Sequence, residues 1–352
     1  MKVCIVTGSG GLIGSESVEF FSNKFDKIIG IDNDSRKQFF GKNASVKWNI
    51  ERIKKNISNY VHYNLNISNY ENIKKVFSKY NKNISLIIHC AAQPSHDWAA
   101  KKPQTDFKSN TVGTFNLLEL CRIYCHKSVF IFTSTNKVYG DIPNKFSYSE
   151  NEFRFELKKS NKFFKKGFNE NLSIDNCTHS IFGANKLGAD ILVQEYGKYF
   201  KMKTVCFRGG CLTGSSHSGA ELHGFLNYLV KCNLNKKKYF IFGYKGKQVR
   251  DNIHSKDLVN QFWEFYKKPR YGEVYNTGGG KYSNCSVIEA IQIVQKKTNI
   301  KMNFKVLAKN RIGDHIWWIS DITKFQKHYK NWKYKYNLDQ IIDEIIFGIK
   351  KR

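Results

Sequence analysis

The sequence predicts an α/β protein with a doubly wound parallel sheet and a smaller mixed α/β lobe. Strand-like and helix-like segments alternate through the first half of the chain, which is the pattern of a parallel sheet covered by helices on both faces. A glycine-rich turn follows the first apolar strand directly, and an acidic residue, Asp32, closes the second strand. These three observations together are typical of the Rossmann arrangement.

The predicted elements of the first half are short apolar strands joined by longer amphipathic helices. The predicted strands cover residues 2–7, 27–31, 60–65, 85–90, 128–133 and 204–208. The first predicted helix follows the glycine turn and ends near residue 23, and the others cover about 70–80, 107–125 and 182–200. Each helix would return the chain to the start of the next parallel strand.

The second half of the chain has a different pattern. Residues from about 141 to 178 are polar, aromatic and lysine-rich without clear periodicity, and we interpret them as a long surface excursion. After residue 208 come shorter elements, with strands at 239–242 and 273–276 and helices beginning at 255 and 285. We therefore expect a first domain over residues 1–208 and a smaller lobe over residues 209–352 that is interleaved with it.

The formal net charge of +29 raises the question of a nucleic-acid partner. Only nine of the 58 basic residues are arginines, and the lysines are spread over most of the chain. Arginine is the better residue for bidentate phosphate and base contacts. The composition therefore argues against a dedicated nucleic-acid function, while the positive field would still attract an anionic substrate.

The cysteines and the N-terminus favour a reducing, cytoplasmic location. The nine cysteines form an odd count and lack a C-x-x-C motif, so we expect buried free thiols and no zinc site. The opening residues MKVCIVTGSGG resemble a first strand more than a signal peptide. Without a run of about 18 apolar residues, no membrane span is expected.

The glycine turn has the spacing of a dinucleotide site. Gly8, Gly11 and Gly14 form G-x-x-G-x-x-G between a strand and a helix, so the backbone can approach a pyrophosphate at the helix N-terminus. Asp32 lies 18 residues after Gly14, where a carboxylate can bind ribose hydroxyls and repel a 2′-phosphate. The sequence therefore predicts NAD rather than NADP as the cofactor, a preference that nearby Arg36 weakens.

Six ordered motifs run through nearly the whole chain. They are TGSGGLIG at 7–14, HCAAQ at 89–93, NTVGT at 110–114, TSTNKVYGD at 133–141, RDNIH at 250–254 with Asp257, and RIGD at 311–314 with Asp321. This set resembles the extended short-chain dehydrogenase/reductase family, in its group of nucleotide-sugar epimerases and dehydratases. Within that group, STNKVYGD, DNDSRK at 32–37 and GKQVRD at 246–251 are most similar to the CDP-paratose 2-epimerases, also called CDP-tyvelose epimerases.

The resemblance implies binding residues for both NAD and a nucleotide sugar. The implied cofactor residues are Gly8, Gly11, Gly14, Asp32, Asn33, Ser35, Arg36, Asn66, Ile67, Ala91, Ala92, Gln93, Asn110 and Lys186. The implied substrate residues are Gln93, Arg208, Arg250 and Arg311, since a guanidinium fork suits a diphosphate. No metal is implied. Among other residues, we expect His89 to be a satisfied core histidine and Trp317 and Trp318 to serve packing.

The implied catalytic residues are Thr135, Asn136, Phe182 and Lys186. Members of the family place a Tyr four residues before a Lys on the catalytic helix, where the Tyr transfers a proton and the Lys binds ribose and lowers the phenol pKa. Lys186 matches the Lys, but Phe182 stands at the Tyr position. Thr135 would hydrogen-bond the reacting oxygen, and Asn136 stands where dehydratases tend to carry an acid.

Because Phe182 cannot transfer a proton, three interpretations stay open. Another group does the acid/base work, with His179, His96, Asp97 and Cys90 as candidates by sequence neighbourhood. Alternatively, Thr135 and water suffice. In the third interpretation the protein is a catalytically silent module that binds NAD and a nucleotide.

The function that the resemblance implies is redox-neutral epimerisation at C2 of a CDP-linked hexose or deoxyhexose, through a transient keto intermediate. A nucleotide-sugar 4-epimerase or 4,6-dehydratase is the alternative enzyme, and the silent binder is the alternative of another class. The resemblance also implies a homodimer through the helices at about 107–125 and 182–200.

Overall fold

The computed structural model describes residues 1–351 apart from Leu222, Lys309 and Ile312. Its strands are β1 Val3–Thr7, β2 Lys27–Ile31, β3 Tyr60–Tyr63, β4 Ile84–His89, β5 Val129–Thr135, β6 Tyr148–Glu150, β7 Phe155–Leu157, β8 Lys203–Gly209, β9 Cys211–Thr213, β10 Tyr239–Phe242, β11 Val249–His254, β12 Glu273–Thr277, β13 Asn284–Ser286, β14 Phe304–Leu307 and β15 Trp317–Trp318. Its α-helices are α1 Leu12–Ser22, α2 Arg36–Phe40, α3 Lys47–Asn56, α4 Tyr70–Tyr80, α5 His96–Lys101, α6 Pro103–Phe107, α7 Gly113–Tyr124, α8 Ser180–Tyr199, α9 Phe225–Leu234, α10 Ser255–Lys267, α11 Val287–Thr298, α12 Thr323–His328 and α13 Leu338–Lys350.

A seven-stranded sheet contains β1 to β5 and two later strands, in the order β12-β8-β5-β4-β1-β2-β3. Strand β1 lies inside the sheet and pairs in parallel with β2, from Val3 opposite Lys27 to Thr7 opposite Ile31. On its other side β1 pairs in parallel with β4, which pairs in parallel with β5. All five residues of β1 are buried, because helices cover both faces of such a sheet. The predicted doubly wound fold is confirmed.

The chain forms two compact units whose segments alternate. The first contains residues 1–138, 181–208 and 259–275, and the second contains residues 139–180, 209–258 and 276–352. One segment of the first unit ends at residue 208, where the boundary was expected, but residues 139–180 belong to the second unit and residues 259–275 return to the first. The return places β12 beside β8 in the large sheet. Pairing with β12 protects backbone groups of β8 that an edge strand would leave open.

The segment expected to be a surface excursion is an integrated part of the second unit. Strands β6 and β7 pair antiparallel within it, and Phe163 and Phe168 are buried. The ring of Phe168 packs 5.3 Å from the rings of both Trp317 and Trp318, which are fully buried. The excursion prediction was therefore wrong, because the aromatic side chains that gave no periodic pattern build a local core. The packing role of the two tryptophans is confirmed.

Several helices were not predicted. Helix α3 is rich in lysine, yet it buries Asn49, Ile50 and Ile53 along one face. Helix α13 begins with a reciprocal capping box between Asn337 and Gln340, a start pattern that the sequence does contain. Helices α2 and α9 were also missed.

The second unit has its own apolar core and small sheets. Side chains of α9, α11 and α13 meet in one buried cluster that includes Leu229, Ile291 and Ile345. Strand β11 pairs with β9, β13 and β15, and β10 pairs with β14. Within the part of the chain that the structure describes, no helix is long and apolar enough to cross a membrane. The same residues contain no group of three or more metal-ligating side chains.

Candidate functional site

The glycine turn after β1 is packed too closely for side chains. Gly8 has φ +67°, and a Cβ there would lie 2.7 Å from the backbone nitrogen of Ala91. A Cβ on Gly14 would lie 2.0 Å from the carbonyl oxygen of Gly8. Gly11 immediately precedes helix α1, which has no side-chain cap, so the first N–H groups of the helix keep their capacity to bind an anion. The turn fits the pyrophosphate-binding role predicted for it.

Asp32 is fixed by the same turn. Its Oδ2 accepts a hydrogen bond of 2.9 Å from the backbone N–H of Gly10, and its Oδ1 accepts one of 2.8 Å from that of Asp34. Burial raises the pKa of Asp32. The carboxylate therefore stands beside the glycine turn at the end of β2, where the ribose contact was predicted.

The next predicted cofactor residues form the loop after β2. The side chain of Asn33 accepts a hydrogen bond of 3.2 Å from the N–H of Ser35, which precedes α2. The Arg36 guanidinium lies 4.8 Å from the ring of Phe40, and burial lowers the pKa of Arg36 to about 10. The loop follows Asp32 directly, so all three residues lie next to the predicted ribose site.

The loops after β3 and β4 supply the remaining backbone of this region. Asn66 is exposed, whereas Ile67 is buried against Gly113, where a Cβ would lie 2.5 Å from the Ile67 side chain. Ala91 touches the glycine turn, and Ala92 after it is partly exposed. Their contact with the nucleotide stays a prediction.

Gln93 belongs to a buried network of amides around Asp106. Its Nε2 donates to Asp106 Oδ1 over 2.6 Å and to the Ser95 carbonyl over 2.8 Å, while its Oε1 accepts from the N–H of Ser95. Asn110, inside a π-helical turn, donates to the same Asp106 oxygen at 3.0 Å. Asn185 donates to the other oxygen at 2.6 Å.

The structure therefore changes the role assigned to Gln93. Its side chain is fully buried and both amide N–H groups are used inside the protein, so it orients the loop after β4 instead of contacting substrate. Asp106 and Asn185 were missed in the sequence. The spacing of four between Asp106 and Asn110 on a helical pattern is the one available sign of that pair.

Lys186 lies on α8, and its ammonium reaches the carboxyl-terminal part of β5. Its ammonium donates to the carbonyl oxygen of Thr133 over 2.9 Å and stands 4.0 Å from the centre of the Phe132 ring. Burial lowers the pKa of Lys186 to about 8. Phe182, one helical turn earlier, is also buried and has no group that could carry a proton. The two residues share one face of α8, as the motif predicted.

Thr135 ends β5, and Asn136 follows it at the start of a 3-10 turn. The hydroxyl of Thr135 lies 3.5 Å from the side-chain oxygen of Asn136 and accepts a hydrogen bond of 3.2 Å from the N–H of Lys137. Thr135 is partly exposed, while Asn136 is buried. The Thr135 side chain is therefore accessible to a ligand. The residue at position 136 is an amide and not the acid that dehydratases tend to carry there.

The other acid/base candidates have different surroundings. The ring of His96, at the start of α5, meets the ring of Phe182 edge to face, with centroids 4.9 Å apart. Asp97 follows it and is partly exposed. Burial raises the pKa of Cys90 to about 12. His179 belongs to the second unit, where its Nε2 lies 3.4 Å from Cys177 Sγ.

His89 is a core histidine, as predicted. Its Nδ1 lies 2.8 Å from the hydroxyl of Thr7, and its Nε2 lies 2.9 Å from the hydroxyl of Thr114. Burial holds the pKa of His89 well below its ordinary value.

Arg208 does not have the position predicted for a substrate contact. It is buried and forms two hydrogen bonds to Asp190 of α8, at 2.7 and 3.1 Å. Ser134 also donates to Asp190, over 2.5 Å. The reason is electrostatic: a charge in the interior needs a partner, and this pair satisfies both charges. Arg208 joins β8 to α8.

Arg250 and Arg311 belong to the second unit, where two motifs meet. Arg250 on β11 forms an ion pair with Asp314, the last residue of the RIGD motif. Arg311 lies 5.8 Å from the ring of Phe242 and is partly exposed. The RDNIH and RIGD motifs therefore build one local arrangement. Contact of either arginine with a diphosphate stays a prediction.

Comparison with known proteins places these features in a family context. A family model described as the NAD dependent epimerase/dehydratase family matches residues 4–278. CDP-paratose 2-epimerase of Salmonella typhi is 29% identical over 330 residues, which is 91% of this chain and 91% of that protein. UDP-glucuronate 4-epimerase of Thermodesulfobacterium geofontis is 26% identical over 343 residues, 97% of this chain and 94% of that one.

Solved structures agree on the fold. UDP-glucose 4-epimerase from Bifidobacterium longum, in complex with NAD⁺ and UDP, matches with a TM-score of 0.81 at 20% identity, over 100% of this chain and 99% of that chain. A tyrosine-to-phenylalanine mutant of UDP-glucuronic acid 4-epimerase from Bacillus cereus, in complex with NAD and a fluorinated sugar nucleotide, matches with a TM-score of 0.79 at 24% identity, over the same shares. The resemblance seen in the six motifs is confirmed.

Proposed function

The chain belongs to the NAD-dependent epimerase/dehydratase family, and from that premise we propose that it epimerises a nucleotide sugar without net oxidation. The observation that carries this proposal is the end of β5, where Lys186 is intact beside Thr133 while a buried amide, Asn136, stands where a dehydratase would need an acid. An epimerase returns the hydrogen to the same carbon and needs no acid to expel water from the sugar. The intact lysine and the missing acid together favour epimerisation.

NAD fits the residues that the glycine turn and the neighbouring loops present. Gly8 and Gly14 allow the close backbone packing of a turn that would bind the pyrophosphate. Asp32 accepts a hydrogen bond from Gly10 of that turn and would bind the ribose, and Lys186 of α8 donates to Thr133 of β5. When bound, NAD supplies the acceptor and donor of the hydrogen that leaves and returns to the sugar carbon. The protein supplies orientation and charge.

The chain's own groups act on the sugar oxygen. The Thr135 hydroxyl would hydrogen-bond the reacting oxygen, and the Lys186 ammonium would stabilise negative charge that develops there, most strongly because it is buried. Arg250 and Arg311 would hold the diphosphate, with Asp314 orienting Arg250.

We further propose that the substrate is a CDP-linked hexose or deoxyhexose and that the inverted carbon is C2. The STNKVYGD segment and the similarity to CDP-paratose 2-epimerase over nine tenths of both chains support this choice. A 4-epimerase or 4,6-dehydratase is the second candidate, favoured by the similar UDP-glucuronate 4-epimerase and by a dTDP-D-glucose 4,6-dehydratase of Dictyostelium discoideum that is 32% identical over 291 residues, 82% of this chain and 61% of that protein. The third candidate is a catalytically silent protein that binds NAD and a nucleotide, which the phenylalanine at position 182 favours.

We also propose a homodimer through α7 and α8. Both helices carry large apolar side chains that are exposed in the single chain, among them Phe115, Ile123, Ile191 and Tyr199. Exposed apolar groups concentrated on neighbouring helices are typical of a subunit interface. Light scattering should give twice the chain mass, and Ile191→Lys should shift it towards the monomer.

The direct test is to follow CDP-, UDP- and GDP-hexoses by NMR, with CDP-paratose included, because a redox-neutral reaction leaves no net NADH signal. We expect one CDP-sugar to convert to its C2 epimer while NAD is regenerated. A 4-epimer or a 4-keto-6-deoxy product would select the second candidate. Binding of NAD and sugar nucleotide without any product would select the silent binder.

A further inference from the structure

The position of Phe182 leaves the proposed reaction without an obvious proton carrier. Oxidising a secondary alcohol breaks the O–H bond as well as the C–H bond, and the oxygen must take its proton back when the carbonyl is reduced. General acid/base help of this kind contributes about 10²–10⁴-fold. In an epimerase that lacks the phenol, a group beside Phe182 and Lys186 can hold the proton in its place, and this inference depends on the proposed epimerase function.

Most titratable groups near Lys186 are already committed. His89 is fully buried with both ring nitrogens next to threonine hydroxyls. Burial raises the pKa of Cys90 to about 12, so its thiol stays protonated at neutral pH. Asp106 accepts hydrogen bonds from three amide side chains, and Asp190 forms the buried pair with Arg208.

Lys186 itself suits the role of a cation better than that of a base. Its ammonium donates to the Thr133 carbonyl oxygen, which orients one N–H bond into β5. Its pKa of about 8 leaves the amine mostly protonated at neutral pH. It can then stabilise an oxyanion but cannot accept the first proton.

His96 brings an imidazole to this region, where its ring packs against that of Phe182. The centroids of the two rings are 4.9 Å apart at an interplanar angle of 67°. Ser95 caps helix α5 by accepting a hydrogen bond of 3.2 Å from the N–H of Trp98. The N–H of Ser95 in turn donates to Gln93 Oε1, so the buried Gln93 network holds the start of α5 in place. Phe182 is buried, whereas His96 is partly exposed, so a ligand can reach the imidazole.

We propose that His96 is the acid/base residue of this enzyme and takes the place that a phenol at position 182 would otherwise fill. In the first half-reaction the imidazole takes the hydroxyl proton while the C–H hydrogen leaves with its electron pair to NAD and the C=O bond forms. In the second, the carbon regains that hydrogen on its opposite face and His96 returns the proton to the oxygen. Protons and electrons balance over the cycle, and Lys186 stays protonated throughout.

The first test replaces His96 by Gln, which keeps a polar side chain of similar length but cannot carry a proton. We expect kcat on the sugar nucleotide that the unmodified protein converts to fall about 10²–10⁴-fold, with KM and the affinity for NAD changed less than threefold. His126→Gln is the matched control, since His126 lies in the segment after α7 and contacts the Phe200 carbonyl oxygen. Turnover of His96→Gln within threefold of the unmodified protein would overturn the proposal and leave the epimerase function standing.

The second test asks for rescue. Adding Phe182→Tyr to the His96→Gln protein should raise kcat at least tenfold over that of His96→Gln alone, because the phenol would stand beside the Lys186 ammonium. The absence of such recovery would count against the proposal. If the unmodified protein converts no sugar nucleotide and Phe182→Tyr alone creates turnover, the silent-binder function is correct and both proposals fail.

A third readout does not depend on turnover. In protein with isotope-labelled histidine, the ring signals of His96 can be assigned by their absence from His96→Gln. Adding CDP-paratose to the NAD-loaded protein should shift these signals, while those of His126 should stay within experimental error. Calorimetry would establish the concentration at which CDP-paratose saturates the NAD-loaded protein. Unshifted His96 signals at that concentration would place the imidazole outside the sugar site and overturn the proposal.

Discussion

The glycine turn after β1 and the helix α8 are built by different means. At the turn, close backbone contacts and two backbone N–H groups donating to Asp32 determine the shape. At α8, the arrangement depends on side chains from separate segments, with Lys186 reaching β5, Asp190 reaching β8 and Phe182 reaching α5. A contiguous motif therefore describes the turn well, whereas the environment of the helix arises only when distant segments meet.

The largest effect that this comparison predicts concerns the pair of Arg208 and Asp190. Arg208→Met should lower the free energy of unfolding by about 3–5 kcal/mol, because it leaves a buried carboxylate without its partner. Arg122→Met, which removes an exposed partner of Glu119, is the control and should cost at most about 1 kcal/mol. Chemical denaturation measures both. Unchanged stability with weakened sugar-nucleotide binding would restore the original assignment of Arg208 to the substrate.

Lys186→Ala should reduce kcat by about 10²–10³-fold, as loss of a preorganised positive group near a developing oxyanion does. It should also weaken NAD binding. Lys198→Ala, in the exposed last turn of α8, is the control. Steady-state kinetics and NAD titration check both effects, and unchanged turnover would show that α8 has been assigned the wrong role.

The same lysine gives a pH dependence. Burial lowers the pKa of Lys186 to about 8, so between that pH and the ordinary lysine range the unfolded chain binds more protons than the folded one. Its contribution to stability therefore rises with pH in this window, while turnover that needs the cation falls above pH about 8. A kcat profile that stays flat from pH 7 to 9 would contradict this reading.

A smaller effect should follow from Asp106→Asn. The amide has one acceptor oxygen for the three donors that now bind Asp106, so at least one of Gln93, Asn110 and Asn185 loses its partner. An unsatisfied buried donor costs about 1–3 kcal/mol of stability. Thermal unfolding beside Asp175→Asn, an exposed control, measures the difference. A loss equal to that of the control would mean that the network contributes nothing.

The smallest effect is expected at the cofactor turn. Asp32→Ala should weaken NAD binding and reduce the ratio of the Kd for NADP to the Kd for NAD by about tenfold, or 1.4 kcal/mol. The substitution removes both the acceptor for the ribose hydroxyls of NAD and the charge that repels the 2′-phosphate of NADP. Calorimetric titration with both cofactors provides the measurement. Equal affinity of the unmodified protein for NAD and NADP would remove the basis of the assignment.

The sequence predicted six of the seven strands of the large sheet, because most of them are short apolar runs separated by glycine or polar residues, but it assigned β12 to the smaller lobe. It failed where the outcome depends on burial. No local sequence feature distinguishes Arg208, which pairs inside the protein, from an arginine that binds a diphosphate. Gln93 was likewise predicted to contact substrate, because the sequence gives no sign that its side chain is buried. Helix α3 was hidden because most of its residues are lysines and other polar groups that face solvent.

The sequence predicted which residues belong to the candidate site better than it predicted how those residues contact one another. The glycines, Asp32, Thr135 and Lys186 stand in contiguous motifs that can be read directly. His96 was one of four neighbours in the sequence, and only the contact with Phe182 sets it apart. Asp106 matters because residues 93, 110 and 185 come together around it, which no spacing along the chain specifies.

The place of β12 in the large sheet has a consequence for protein synthesis. This strand, Glu273–Thr277, is an outer strand beside β8, so the sheet stays incomplete until more than three quarters of the polypeptide has left the ribosome. During that interval β8 presents unpaired backbone groups to other nascent chains, a known route to aggregation. Ribosomal pausing before residue 273, or a premature stop codon there, would yield a nascent chain dependent on chaperones, even though it already contains every motif of the nucleotide turn.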